Sequence, residues 1–288
     1  MAKTDKKYIQ LGERGRLNKN NKLNSLTGKE WIKFSKSWFV HRPIKRNKTE
    51  ILHPAKYPES LVKEFIEFFT KEDEWVLDPF LGSGSTLLAA GESKRNAVGI
   101  ELTNKFYNIS KKRIVENNFK TKIIPIKGDS KNLSNILNEN NLSKIRFDFV
   151  ITSPPYWNQL ERNSLRQKNR SKKNLVTKYS VSKKDLGNVK DYKKFIEEQA
   201  EIFDIVYNQT KSGGYLSIIT NNVYFKSKLY PLAYDTAISL TNRGNKSWVL
   251  KDEKIWLQDD KPLIALGVNN AWVSNRHHQY CLIFRKEN

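Results

Sequence analysis

Cysteine is almost absent from this chain: Cys281 stands alone, so no internal disulfide can form. Its apolar neighbours Tyr280, Leu282, Ile283 and Phe284 predict a buried thiol. Histidine is scarce too, with four residues. No Cys/His grouping has the spacing of metal ligands, so no metal is expected. No run reaches the ~18–20 apolar residues that a membrane-spanning helix needs. The basic start, Met1-Ala-Lys-Thr-Asp-Lys-Lys7, leads into no apolar stretch, so neither a membrane anchor nor a secretory leader is expected. The expectation is a soluble, cytoplasmic protein. Gly/Ser linkers and internal repeats are also missing, which favours a single domain carrying insertions.

Basic residues, by contrast, are in excess. Lys and Arg number 52 against 30 Asp and Glu, a formal charge of +22, while hydrophobic residues at 38% suffice for a packed core. Such an excess predicts a polyanionic partner, although an AT-rich genome inflates Lys and Asn by itself. Half of it lies in residues 1–48, where 14 Lys or Arg face three acids. Trp31, Phe34, Trp38 and Phe39 are interleaved there with Lys29, Lys33 and Lys36. That spacing predicts one amphipathic helix, docked on the core, within a basic arm over 1–50.

Beyond the arm, α and β signals alternate. A helical pattern over 59–70 is followed by a short apolar strand at 75–78, a helix over 85–93 and a strand at 97–101. A helix over 103–117, a strand at 123–126, a helix over 130–140 and a strand at 147–152 continue the series. Alternation with continuous apolar strands predicts an α/β fold, a mostly parallel sheet with helices on both faces. The pattern breaks over 162–184, where nine basic residues occur without an acid. A long helix over 191–211, a strand at 214–220 and a helix over 232–241 follow. Apolar runs at 248–250 and 280–284 suggest an antiparallel closing pair. The division expected is a domain over 51–288 with a basic insertion over 158–190 and a candidate recognition region over 221–275.

The first chemically suggestive stretch is Asp78-Pro-Phe-Leu-Gly-Ser-Gly-Ser-Thr86, between a predicted strand and helix. Gly82 and Gly84 permit tight turning, and the helix that follows offers unpaired N–H groups to an anionic ligand group. The three-glycine dinucleotide fingerprint is absent. Glu101, seventeen residues past Gly84, ends the next strand, where a carboxylate is placed to accept hydrogen bonds from ribose hydroxyls. Asp129 and Ser153 end the next two strands. Polar residues at four successive strand ends are poorly explained by packing and fit a nucleoside-type cofactor at the sheet's carboxyl edge. Phe80, Ser83, Ser85, Thr86, Leu102 and Ser130 adjoin these positions and complete that candidate set.

The second stretch is Thr152-Ser-Pro-Pro-Tyr-Trp157. Pro154 and Pro155 stiffen the backbone and donate no N–H, leaving rigid carbonyls. One such carbonyl and the Ser153 hydroxyl can together accept hydrogen bonds from a single amino group. Tyr156 offers a stacking face, and Trp157 is equally suited to line a pocket or to act as a core or hinge residue.

With these two motifs, the chain resembles the amino-methyltransferases of DNA, which methylate cytosine or adenine at the exocyclic nitrogen. Asp78–Thr86 is similar to their glycine-rich cofactor motif, and Ser153–Tyr156 to their catalytic tetrapeptide, whose serine form is typical of cytosine-N(4) enzymes. His53-Pro-Ala-Lys-Tyr-Pro58 resembles the segment that packs on the methionine part of the cofactor, which adds His53, Pro54 and Lys56 to the candidate set. Asn275-Arg-His-His-Gln-Tyr280 resembles the lead into the closing strand.

The resemblance covers most of 25–288. It implies a Rossmann-like class I methyltransferase fold, S-adenosyl-L-methionine as cofactor, and Ser153, Pro154, Pro155 and Tyr156 as catalytic residues. It further implies duplex DNA as substrate, a restriction-modification system with a cognate endonuclease, and a nucleoid-associated prokaryotic location. A base inside a duplex must be flipped out before its amino group can react. Phosphate and base-edge contacts are then expected from Arg162, Arg166, Lys168, Arg170, Lys172 and Lys173, with Gln167 and Asn169, directly after the tetrapeptide. The alternative is a solvated loop there, with recognition by 221–275.

Overall fold

The computed structural model describes residues 8–10, 16–18, 20–42, 57–158, 182 and 184–287. Two short strands near the start, β1 (Tyr8–Gln10) and β2 (Arg16–Asn18), pair only with each other. The main sheet has eight strands. Its parallel part is β4 (Trp75–Asp78), β5 (Asn96–Glu101), β6 (Ile123–Lys127), β7 (Phe147–Thr152) and β8 (Thr210–Thr220), arranged β8-β7-β4-β5-β6. On the far side of β8 lie β12 (His278–Arg285), antiparallel to it, then β11 (Val249–Leu257), antiparallel to β12. The edge strand β3 (Trp38–Val40) runs parallel to β11. A small hairpin, β9 (Val223–Phe225) with β10 (Lys228–Tyr230), stands apart.

Both faces of the sheet are covered because its central strands are apolar on both. Alternate residues go to opposite sides. Leu77, Val98, Val150 and Ile218 face one cluster, completed by α5 (Leu133–Glu139), α6 (Tyr192–Gln209) and α7 (Leu232–Thr241). Val76, Ala97, Phe149, Ile151 and Ile219 face the other, completed by α2 (Glu59–Phe69) and α3 (Ser85–Glu92). The helix α4 (Asn104–Asn117) follows β5 and packs beside α3. Each fully buried Leu, Ile, Val or Phe contributes about 1.5–3 kcal/mol. Cys281 lies in the second cluster, a free and fully buried thiol whose pKa burial pushes up to about 12. This is the expected α/β architecture, and the closing antiparallel pair is present.

The basic arm differs from expectation. Its helix, α1 (Gly28–Phe34), starts at a capping box between Thr27 and Glu30 but ends at Phe34, so Trp38 and Phe39 belong to β3 instead. The cause lies in β11. Lys254, buried on that strand, donates to the carbonyls of Phe34 and Lys36 and sits 4.4 Å from the Phe34 ring centroid, which caps the helix C-terminus. The outer edge of β11 then takes up the next residues as a strand, with Ile255 N–H donating to Ser37 O at 2.8 Å. Docking on the core holds for α1, where Phe34 stacks on Phe68 at 3.9 Å and Trp31 lies 4.8 Å from the same ring.

Smaller shifts occur elsewhere. α6 stops at Gln209 and β8 begins at once, four residues ahead of the expected strand. β11 is nine residues long and runs to Leu257, well past the expected apolar triplet. Much of 221–275 is therefore built into the main sheet and its helical cover, and the part that leaves the body is the connection over 258–277.

Candidate active site

The carboxyl ends of β7, β4, β5 and β6 lie side by side, and an open cleft of about 860 Å³ runs across them. Phe80, Gly82, Ser83, Ser85, Glu101, Leu102, Asp129, Ser130, Ser153 and Pro155, all expected from the sequence, line it. Its walls also include Tyr57, Thr103, Phe106, Lys184, Asp185, Leu186 and Ile202. Apolar walls with a few convergent polar groups are what a small-molecule site requires.

The glycine-rich turn forms the floor. Gly84 caps α3 at φ 92°, in the left-handed region, and a side chain there would come within 2.9 Å of Ser110 Cβ on α4. Gly82 also has positive φ, and its N–H donates to Glu101 Oε2 at 2.8 Å. The other Glu101 oxygen accepts from Thr103 N–H at 2.8 Å and from Thr103 Oγ1 at 2.7 Å. Three donors leave about one acceptor position of the roughly four on a carboxylate. Burial raises the Glu101 pKa, against the opposing effect of those donors. Arg113 supports the turn from α4, pairing with Glu59 and donating to Ser83 O at 2.8 Å.

Asp78 ends β4 as expected, but its side chain is fully buried beneath the cleft. Its carboxylate accepts from Phe80 N–H, Thr152 Oγ1, Thr86 Oγ1 and Tyr57 OH, at 3.0, 2.6, 2.5 and 2.7 Å. The group thus ties together the ends of β4 and β7, the start of α3 and the chain ahead of α2. Thr86 and Gly84 likewise support the turn rather than line the cleft. Burial raises the Asp78 pKa and holds the Tyr57 phenol well above its usual range.

Ser85 Oγ, at the first turn of α3 on the cleft wall, is buried with no hydrogen-bond partner. An orphaned buried hydroxyl is costly in a folded protein unless something else occupies the space beside it. Asp129 accepts from Lys131 N–H at 3.0 Å, and Ser130 Oγ donates to Pro79 O, which fastens the end of β6 to the floor.

Ser153 and Pro155 reach the cleft, whereas Pro154 is buried. Ser153 Oγ donates to Tyr156 OH at 3.4 Å, and that hydroxyl donates to Gln279 Oε1 on β12 at 3.0 Å. Tyr156 itself is buried, which raises its phenol pKa, so its ring is packed rather than presented. Trp157 is a core residue: it contacts Tyr192, Phe225 and Tyr230 at 5.0, 5.6 and 4.5 Å, and its Nε1 donates to Lys190 O. His53, Pro54 and Lys56 lie outside the described residues, as do Arg162, Arg166, Lys168, Arg170, Lys172 and Lys173. Among the described residues no cluster of His, Cys, Asp or Glu could hold a metal ion, and no helix is long and apolar enough to cross a membrane.

The family model for DNA methylases (N6_N4_Mtase) matches residues 1–112, which include the glycine-rich turn and Glu101. The type II methyltransferase M.HindIII of Haemophilus influenzae is 50% identical over 62 residues, 22% of this chain and 20% of that protein. M.BglI of Bacillus subtilis is 34% identical over 91 residues, 32% of this chain and 26% of the relative. The matched stretch is thus about a fifth to a quarter of the length of these relatives. Among solved structures, TrmN from Thermus thermophilus aligns at a TM-score of 0.48 and 11% identity, over 79% of this chain and 48% of that one. The family model and the type II methyltransferase relatives thus liken a part of this chain to DNA methylases.

Proposed function

We propose that the protein transfers a methyl group from S-adenosylmethionine to the exocyclic amino group of cytosine at a specific site in duplex DNA, as the modifying half of a restriction-modification system. The observation that carries this reading is the position of Ser153, on the wall of the cleft floored by Gly82, Ser85 and Glu101. An amino-group acceptor and a nucleoside-type pocket share one cavity.

The residues present fit the cofactor. Ser85 has a buried hydroxyl awaiting a partner, Glu101 retains about one acceptor position for a ribose hydroxyl, and Phe80, Leu102 and Ile202 give apolar walls for a flat ring. Asp129 is placed on the same rim. When bound, S-adenosylmethionine supplies a methyl on a positively charged sulfur, a ready electrophile.

This chain's own residues then position the amine. An aromatic amine is a poor nucleophile because its lone pair is delocalised into the ring. Ser153 Oγ accepts one of its N–H bonds and directs the lone pair toward the methyl, with the carbonyl of the buried Pro154 as the second acceptor that the family resemblance implies, so that alignment supplies much of the rate. No cysteine nucleophile is needed, in keeping with Cys281 lying buried on β12. The basic run over 162–184, directly after the tetrapeptide, supplies phosphate contacts.

The test is nucleoside mass spectrometry of duplex DNA incubated with the protein and isotopically labelled S-adenosylmethionine. Labelled N(4)-methylcytosine is expected. Labelled N(6)-methyladenine alone overturns the choice of base, and label in transfer RNA without label in duplex DNA overturns the substrate.

A further inference from the structure

The connection between β11 and β12 exposes apolar side chains in a way that packing does not explain. Leu263 is 82% exposed, Val268 60% and Trp272 88%. Yet the connection is built, not loose. Gln258 N–H donates to His277 O at 2.7 Å and closes its neck. Asn275 clasps the backbone of Ile264 in both directions, accepting from its N–H at 3.0 Å and donating to its carbonyl at 2.8 Å. Gly267, at φ 63°, makes a turn in which Ala271 N–H donates to its carbonyl at 2.8 Å, and a side chain at 267 would collide with Ala271 O. A fixed loop that holds a tryptophan in water is an interaction feature.

Its position identifies the partner. Thr152 at the end of β7 is level with Ile218 on β8, and Thr220, two residues on, is level with Tyr280 at the start of β12. The connection therefore leaves the sheet at the same edge as the catalytic tetrapeptide, and Gln279 beside its foot touches Tyr156. Within the connection Asp259 and Asp260 are balanced by Lys261 and Arg276, and Asp259 is paired with Arg42 at 2.9 Å. A second copy of this chain would bring another charge of +22 against the first, which opposes self-association through this face. The excess charge of the chain as a whole suits a polyanion.

We infer that this connection is an apolar wedge that enters duplex DNA beside the target base, with Trp272 as the inserting side chain. It would hold the duplex apart while the extruded base occupies the cleft. Apolar side chains driven between base steps unstack them, and the cost is repaid by the contacts that the opened duplex allows. The inference rests on the proposed function.

The test uses the full chain, once its methylated site has been mapped by sequencing. Methyl transfer is measured on a duplex oligonucleotide carrying that site and on the same duplex with the target base mismatched, hence already unpaired. Trp272→Ala is expected to slow transfer about tenfold or more on the paired duplex but less than about threefold on the mismatched one, because the wedge acts on base extrusion. Trp272→Phe should retain most of the rate, with unfolding midpoint and cofactor affinity unchanged in both variants. An equal loss on the two duplexes, or no loss on either, overturns the wedge. So does a change from dimer to monomer in light scattering on Trp272→Ala, which would assign the face to a second copy. A wild-type protein that methylates no duplex DNA overturns the proposed function itself. An active wild type with an indistinguishable Trp272→Ala overturns this inference alone.

Discussion

The hydroxyl of Tyr156 donates to the side-chain carbonyl of Gln279, across 123 residues of sequence, at 3.0 Å. A carbonyl only accepts, so the bond fixes the direction of the tyrosine proton. The phenol keeps that proton because burial raises its pKa. Its oxygen is then left to accept from Ser153 Oγ, which lies 3.4 Å away. Ser153 therefore spends its proton inward and turns its lone pairs to the cleft, the polarity required to receive an amino N–H.

Gln279 is on this account a positioning residue. Gln279→Leu frees the Tyr156 proton to point at Ser153, and methyl transfer should slow roughly tenfold, the scale of one hydrogen bond at about 1.4 kcal/mol. Gln279→Glu restores an acceptor and should restore most of the rate. Single-turnover kinetics at saturating cofactor, with cofactor affinity measured separately, checks both variants. Equal rates for wild type and Gln279→Leu would remove the relay.

Much of this arrangement was legible in the sequence, and the reasons are local. Apolar strands ending at Asp78, Glu101, Lys127 and Thr152 alternate with helices, so the sheet and the polar rim follow from periodicity. What escaped depends on partners distant in sequence. Asp78 reads as a rim carboxylate until Tyr57, Thr86 and Thr152 converge on it. Helix α1 reads as longer until Lys254 stops it from another strand. Lys184, the last residue of a run that reads only as basic, joins the cleft wall together with Asp185 and Leu186. For Tyr57 a signal existed, since it sits within the 53–58 segment that resembles a cofactor-packing stretch.

Gly84 is a second point of control. Gly84→Ala places a methyl group in the left-handed region and within 2.9 Å of Ser110 Cβ. The two effects together should cost about 2–4 kcal/mol of stability and displace the turn that donates to Glu101. Adding Ser110→Gly should recover only part of the collision, because the Ser110 backbone Cα still lies 3.2 Å away and a glycine inside α4 itself costs about 1 kcal/mol. Urea unfolding of both single variants and the double variant measures the coupling between the two sites, which a favourable value assigns to the Ser110 side chain.

Glu101 predicts a pH dependence of definite sign. Burial, the largest influence, raises its carboxyl above the ordinary 4.5. The folded protein thus holds this proton more tightly than the unfolded chain. The group's contribution to stability is present below the unfolded value and lost as pH rises through the raised folded value. Cofactor binding runs the opposite way, because the ionised carboxylate is the better acceptor for a ribose hydroxyl. Affinity for S-adenosylmethionine should fall as pH drops through that raised value, and Glu101→Gln should flatten the profile. Calorimetric titration from about pH 8 down to about pH 4.5 reads the difference. A wild-type profile as flat as that of Glu101→Gln would place the group outside the cofactor site.

Ser85 separates a cofactor contact from a structural one. Its hydroxyl is buried and has no partner, on a residue that lines the cleft. Left so in the free protein, it carries a desolvation cost that Ser85→Ala removes. The unliganded variant should therefore be as stable as the wild type or slightly more stable. With cofactor present the hydroxyl gains its partner, and the variant should bind S-adenosylmethionine about fivefold more weakly, equivalent to about 1 kcal/mol. The stabilisation that the cofactor confers on thermal unfolding should shrink by the same amount. A structural hydroxyl would give the reverse pattern, a less stable free protein with undiminished affinity, so parallel melting curves with and without S-adenosylmethionine decide between them.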